Sequence, residues 1–250
     1  MTMRGRLWCW VMCAAALGLG AGAARFQPPA AAPAPTQAAT TLPAPKWLNA
    51  EALRALEASL PEPVKDGNPV LRGEIELMLA IRGEASEAAK WRAKSEEVFT
   101  VWTFADVLGP GFNETKFPRT GALLYQASID SANVTAPLKA RWARARPPMQ
   151  DPRITPLVAV PTDAAHPSGH AVRAMLWARL LTRLAPEREQ ELLQRARLVA
   201  YGRVVAGVHF PTDVAAGMAL GGLVADRLLA TPEFQKELEA ARAEWAAAKR

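Results

Sequence analysis

The chain has 250 residues, 50% hydrophobic and 22% charged, with a formal net charge of +6. That length and balance exclude wholesale disorder and suit one domain with a sizeable core, and only two cysteines exclude a disulfide-stapled scaffold. The positive excess is mild; it fits attraction to anionic substrates or surfaces, as it would for any cationic protein.

In chain order, Arg4 and Arg6 precede an apolar run over 7–19, followed by Ala21-Gly22-Ala23. A positive start, a short apolar stretch and small residues describe an export signal over 1–23, cleaved after Ala23. The run is shorter than the roughly 18–20 apolar residues of a membrane span. Cys9 and Cys13 both lie inside it, so the mature chain would carry no cysteine. Residues 24–46 are rich in Pro, Ala and Thr and predict a disordered linker. The remainder, 47–250, is expected to be one helical domain.

From Trp47 the pattern becomes helical: Leu53, Leu56 and Leu60 recur at helical spacing until Pro61 and Pro63 stop them. Helices are predicted over 71–82, 84–104, 120–131 and 136–146, with a loop at Gly109-Pro110-Gly111. The apolar run at 157–161 ends in a proline and reads as an extended loop. Three longer helices follow over 168–184, 186–206 and 211–229. The last helix has Thr231 as its cap and Pro232 first, with Phe234, Leu238, Ala241 and Trp245 along one face. No stretch shows sustained alternation, so the fold class is all-α. No internal apolar run reaches membrane length, and stable membrane insertion of the mature chain is not expected.

Three polar clusters stand out. Lys139 and Arg146 are seven residues apart, two helical turns, which predicts that both project from one face, with Pro147 ending the helix there. The alternative is a solvated basic face, since Arg141, Arg144 and Arg153 lie nearby. Pro167-Ser168-Gly169-His170 precedes an apolar-periodic segment. Free N–H groups at a helix start suit an anion, Gly169 permits close approach, Ser168 adds a hydroxyl, and His170 could donate a proton. A helix cap with an incidental histidine reads equally well.

In the third cluster Arg203 and His209 flank Gly207, and Pro211 suits the first turn of the next helix. Asp213, four residues after His209, could reach one imidazole nitrogen, fix the tautomer and leave the other nitrogen as a nucleophile. A capping Asp beside a partly buried histidine is the bland alternative. His166 and His170 share a four-residue spacing that would suit a metal on a helix, but Pro167 and Gly169 intervene, so His166 reads as loop and no metal site is expected.

Taken together, Lys139-x6-Arg146-Pro147, Pro167-Ser168-Gly169-His170 and Arg203-x5-His209-x3-Asp213 resemble the signature of the type 2 phosphatidic acid phosphatase superfamily. That superfamily includes bacterial non-specific acid phosphatases, lipid phosphatases and vanadium haloperoxidases. The tail from Thr231 to Leu238 resembles the end of the secreted class A acid phosphatases. One position departs: the family usually has Ser before the third-cluster Arg, and here it is Gly202. A hydroxyl able to donate to a phosphate oxygen is missing there.

The resemblance implies a helical bundle of the acid phosphatase and vanadium haloperoxidase kind, acting on small phosphomonoesters and releasing inorganic phosphate. It implies His209 as nucleophile held by Asp213, and His170 as acid and then base. Lys139, Arg146, Arg203, Ser168 and the Gly169 N–H would hold the phosphate oxygens, with no metal and no cofactor. The location implied is periplasmic or secreted. Alternatives on the same site are a lipid phosphate phosphatase, a vanadate-dependent haloperoxidase, or a non-catalytic anion-binding envelope protein. Nucleic acid is not an expected partner, because the basic patch at 141–146 holds only Trp142 as a stacking aromatic. A homo-oligomer is left open.

Overall fold

Helix starts in this chain follow its Asn, Ser and Pro residues. In the computed structural model, which describes residues 42–248, Asn49 caps α1 (Ala50–Ala58), Asn68 caps α2 (Pro69–Glu84) and Ser86 caps α3 (Glu87–Ser95), each through its side-chain oxygen. A 3₁₀ turn at Val101–Phe104 runs into the short α4 (Ala105–Leu108). Proline then occupies the first turn of α5 (Pro118–Trp142), α6 (Pro147–Gln150), α9 (Pro211–Leu229) and α10 (Pro232–Ala248). Between them lie α7 (Gly169–Leu181), a 3₁₀ turn at Pro186–Arg188, and α8 (Glu189–Val205). No strand occurs among the described residues, so the fold is all-α.

The expected signal over 1–23, and the expected linker as far as residue 41, lie outside the described residues. Beyond them, the linker's last residues are tied down. The buried Asp130 carboxylate on α5 accepts the backbone N–H groups of Lys46, Trp47 and Leu48 at 2.8–2.9 Å, and Asn133 donates to the Pro43 carbonyl at 3.0 Å. Hydrogen bonds to a charged acceptor each contribute about 1.5–3 kcal/mol.

Three of the expected helices differ from those observed. The segment 84–104 breaks at Ala85, which is extended, because the Ser86 side chain caps a new helix there. The two helices expected over 120–131 and 136–146 are one, α5, which runs through Pro137 and stops at Trp142. Thr231 stands just ahead of α10 as expected, its carbonyl accepting the Gln235 N–H at 3.1 Å, while its hydroxyl donates back to the Arg227 carbonyl at 3.0 Å. The final apolar face is as read: Phe234, Leu238, Ala241 and Trp245 are all buried.

The core centres on α7, whose Leu176, Trp177, Leu180 and Leu181 share one buried cluster with Leu124 and Leu138 of α5 and Leu192 of α8. The Trp177 indole N–H satisfies itself on α5, at the Leu124 carbonyl and the Ser128 hydroxyl. Against α9 the packing is closer than side chains allow. A Cβ on Gly217 would lie 2.6 Å from the Ser168 carbonyl oxygen, and one on Gly221 would lie 2.3 Å from that of Val172. Both obstructions are backbone, so neither can swing away. The two glycines let the N-terminal ends of α7 and α9 come together, where the Ser168 N–H donates to the Asp213 carbonyl at 3.0 Å. No single helix among the described residues is long and apolar enough to cross a membrane.

Gly221→Ala tests this contact. The methyl gains helix propensity but must push two backbones apart, a net loss of about 1–3 kcal/mol that thermal unfolding followed by circular dichroism would register as a lowered midpoint.

Candidate active site

The end of α5 sets the first two cations. Lys139 is buried in its last turn. The helix then closes at Ala143, in the left-handed region at φ 45°, and Arg146 is extended ahead of Pro147. The same-face spacing expected for Lys139 and Arg146 is therefore not how they meet. Pro147 pushes the residue before it out of the helical region, so Arg146 returns to Lys139 from a turn. Ser168, the cap of α7, is fully buried, and its hydroxyl lies 3.5 Å from the Ala171 N–H. A Cβ at Gly169 would meet nothing within 4 Å, so the space beside that residue is open. Arg203 occupies the last turn of α8, which ends before Gly207 at φ 82°, and His209 follows in the link to α9.

Arg146 Nη1 lies 3.1 Å from His209 Nε2 and also donates to the Val208 carbonyl at 2.8 Å. A guanidinium only donates, so Nε2 accepts and the proton sits on Nδ1. That Nδ1 is 3.6 Å from Asp213 Oδ2, beyond hydrogen-bond range, and has no other partner. Asp213 directs its own bonds elsewhere. One oxygen accepts the Phe210 N–H at 2.8 Å; the other takes Arg144 at 2.5 Å and His166 Nδ1 at 3.2 Å. Arg144 continues to Glu74 at 2.6 Å, and Glu74 accepts the Thr212 N–H at 2.8 Å. Burial alone would raise the Asp213 carboxyl, but the His166 hydrogen bond, the neighbouring His209 ring and the Arg144 charge hold it well below the ordinary carboxylate range.

Arg144, His166, Glu74 and Thr212 thus belong to the site, and sequence reasoning missed them. Arg144 was counted with a solvated basic face and His166 with a loop. His166 is indeed in a loop, but buried against Trp142 with ring centroids 5.1 Å apart. No local spacing marks either residue.

The remaining cations are poorly neutralised. Arg203 is buried, and two of its guanidinium nitrogens, Nε and Nη1, have no hydrogen-bond partner. Burial, then Arg146, brings its pKa down to about 10. Lys139 is lowered by burial and Arg146 against the opposing pull of Asp163. Both imidazoles are neutral over the ordinary range. Burial lowers His209 to about 4, with Asp213 pulling the other way. Burial, then Arg203 and Arg173, lower His170 to about 3. His170 Nε2 donates to the Glu97 carbonyl at 3.2 Å, and its ring lies alongside Phe99.

In an all-helical body, buried Lys and Arg side chains gather round a neutral imidazole with its lone pair turned toward Arg146, an arrangement whose charge complements an oxyanion. The PAP2 superfamily model matches residues 121–236 of this chain. It is 29% identical over 198 residues to the non-specific acid phosphatase of Salmonella typhi, covering 74% of this chain and 78% of that protein. The non-specific acid phosphatase of Salmonella typhimurium is likewise 29% identical, over 201 residues and the same shares. Among solved structures, a bacterial vanadium-dependent iodoperoxidase superimposes with a TM-score of 0.54 at 15% identity, over 69% of this chain. This chain spans 52% of that protein, and the likeness is one of fold.

The side chain missing at Gly202 would point toward the end of α3. A Cβ there would make ordinary contact with Ala93 and lie 4.0 Å from Glu96 Oε2, a buried oxygen without a hydrogen-bond partner. Gly202→Ser should therefore be accommodated, raise the thermal midpoint through helix propensity and the new donor, and leave phosphate affinity unchanged by titration calorimetry.

The lowered histidines also set an acid sensitivity. Between pH 6.5 and about 4 an unfolded His209 binds a proton that the folded one refuses, so stability falls as pH drops through that window. Asp213 acts only at lower pH, where its unfolded form protonates. In urea unfolding measured across this range, His209→Gln should reduce the pH slope by about one proton.

Proposed function

We propose that the protein is an exported acid phosphatase, a metal-independent phosphoric monoester hydrolase that works through a phosphohistidine. The observation that carries the reading is the contact of Arg146 Nη1 with His209 Nε2. It puts the imidazole lone pair beside a cation that would hold a phosphoryl oxygen, with Arg203 buried nearby and lacking partners. The likeness to the Salmonella phosphatases supports the same reaction class.

In this scheme the phosphoryl group sits among Lys139, Arg146 and Arg203, whose charges stabilise its equatorial oxygens as negative charge spreads over them. His209 Nε2 attacks phosphorus, forming the N–P bond as the P–O bond to the leaving group breaks. His170 gives its proton to the departing oxygen. Water then attacks phosphorus while His170 takes the proton, the N–P bond breaks, and His209 is restored with inorganic phosphate released.

His170 needs that proton, and in the free pocket it lacks one. Burial is the first cause, and the Arg203 and Arg173 charges add to it. A phosphomonoester dianion cancels the second contribution, so His170 gains proton affinity when substrate binds. Its Nε2 is engaged by the Glu97 carbonyl, which leaves Nδ1 for the leaving oxygen. Ser168 and the Gly169 N–H, at the start of α7, add donors to the seat. The carboxylate of Asp213, locked by Arg144 and His166, favours the Nδ1–H tautomer of His209 by its charge across 3.6 Å. Export rests on the leader pattern of residues 1–23.

His209→Ala should lower kcat/KM on p-nitrophenyl phosphate by more than about 10³-fold while circular dichroism stays that of the parent. Acid quenching would destroy a phosphohistidine, so rapid quench of the parent into alkali with ³²P-labelled substrate should leave label on the protein, and His209→Ala should carry none. EDTA should leave turnover unchanged; inhibition reversed by an added divalent ion would overturn the metal-free scheme.

A further inference from the structure

We propose that Asp163 is a resident competitor for the phosphate seat: its carboxylate sits between Lys139 and Arg146 where phosphoryl oxygens would bind, and substrate must displace it. The proposal rests on the phosphatase reading above.

The carboxylate spans both cations, one oxygen 3.1 Å from Lys139 Nζ and the other 2.5 Å from Arg146 Nη2. Two oxygens bridging two cations is the geometry a phosphoryl group would offer. The partners differ in burial. The Lys139 and Arg146 side chains are 9% and 3% exposed, whereas that of Asp163 is 55% exposed. Asp163 therefore reaches the cations from the solvent side.

The backbone leaves the side chain free to go. Arg146 Nε holds the Asp163 carbonyl at 2.9 Å and Lys139 Nζ holds the Ala164 carbonyl, so the loop stays anchored while the carboxylate rotates into water. Burial alone would raise its carboxyl, but Lys139 and Arg146 hold it below the ordinary value, so it stays charged and competes across the working range. Arg203, meanwhile, keeps two nitrogens without partners. The seat is only partly filled. Phosphate satisfies all three cations, whereas Asp163 satisfies two.

A tethered competitor acts at a high effective concentration, so a weak univalent anion gains too little to evict it. The seat is thereby reserved for anions that carry more charge and a third oxygen, which makes Asp163 a specificity-determining residue. When product phosphate leaves, the carboxylate returns to the place it vacated.

The test is calorimetric titration of inorganic phosphate into the full-length parent, Asp163→Asn and Asp163→Ala at pH 7, with steady-state kinetics on p-nitrophenyl phosphate. Removal of the competitor should tighten phosphate by about tenfold in both variants and lower KM with kcat much less affected, while acetate, undetectable on the parent, begins to inhibit. Phosphate binding unchanged or weakened in both variants would show that the carboxylate only positions the two cations, and would overturn the proposal while the phosphatase reading stands. No phosphate binding by the parent or either variant would sink both. Thermal unfolding of each variant shows that the titrated protein is folded.

Discussion

The contact on which the rest depends is the backbone-to-backbone approach of α9 to α7 at Gly217 and Gly221. His209 and Asp213 belong to the start of one helix, Ser168 and His170 to the start of the other. Only when the two axes come close do these starts share a space, and the Ser168–Asp213 backbone hydrogen bond closes the joint. Side chains larger than hydrogen at either glycine would open the cleft before any charged group took part. Packing therefore comes ahead of chemistry.

What the joint gathers is unbalanced charge, and the imbalance is organised. Asp213 is satisfied by Arg144, His166 and the Phe210 N–H, and Arg144 is itself balanced by Glu74. That buried group is closed, with each charge meeting its opposite, as buried charges require. Beside it, Arg203 has no hydrogen-bond partner at two of its nitrogens, and Lys139 and Arg146 share a single half-exposed carboxylate. One carboxylate thus lies beside His209 without neutralising the cations that face the ring. The division explains how a buried aspartate and an electropositive pocket coexist within one helical turn.

Much of this architecture could be read from local pattern. The helices from α7 onward follow apolar periodicity and proline placement, and the Gly207 break separates α8 from α9 as expected. The glycine- and proline-flanked histidines marked two of the three segments that converge. What escaped was long-range. Arg144 meets Asp213 across 69 residues, Glu74 meets Thr212 across 138, and His166 meets Asp213 across 47. No periodicity encodes such pairs. Arg146 shows the complementary failure: a seven-residue interval read as two helical turns is in fact a helix end, a left-handed residue and an extended return, because the local signal of Pro147 outweighs the spacing.

The three amides gathered by Asp130 have a use beyond holding the chain's edge. That carboxylate sits on α5, the helix that also carries Lys139 nine residues further along, about 13–14 Å at 1.5 Å per residue. A dye, surface linker or fused domain attached just ahead of Lys46 would therefore be carried at a set standoff from the pocket, on the same helix. The molecule comes with its own ruler for immobilisation and distance measurements.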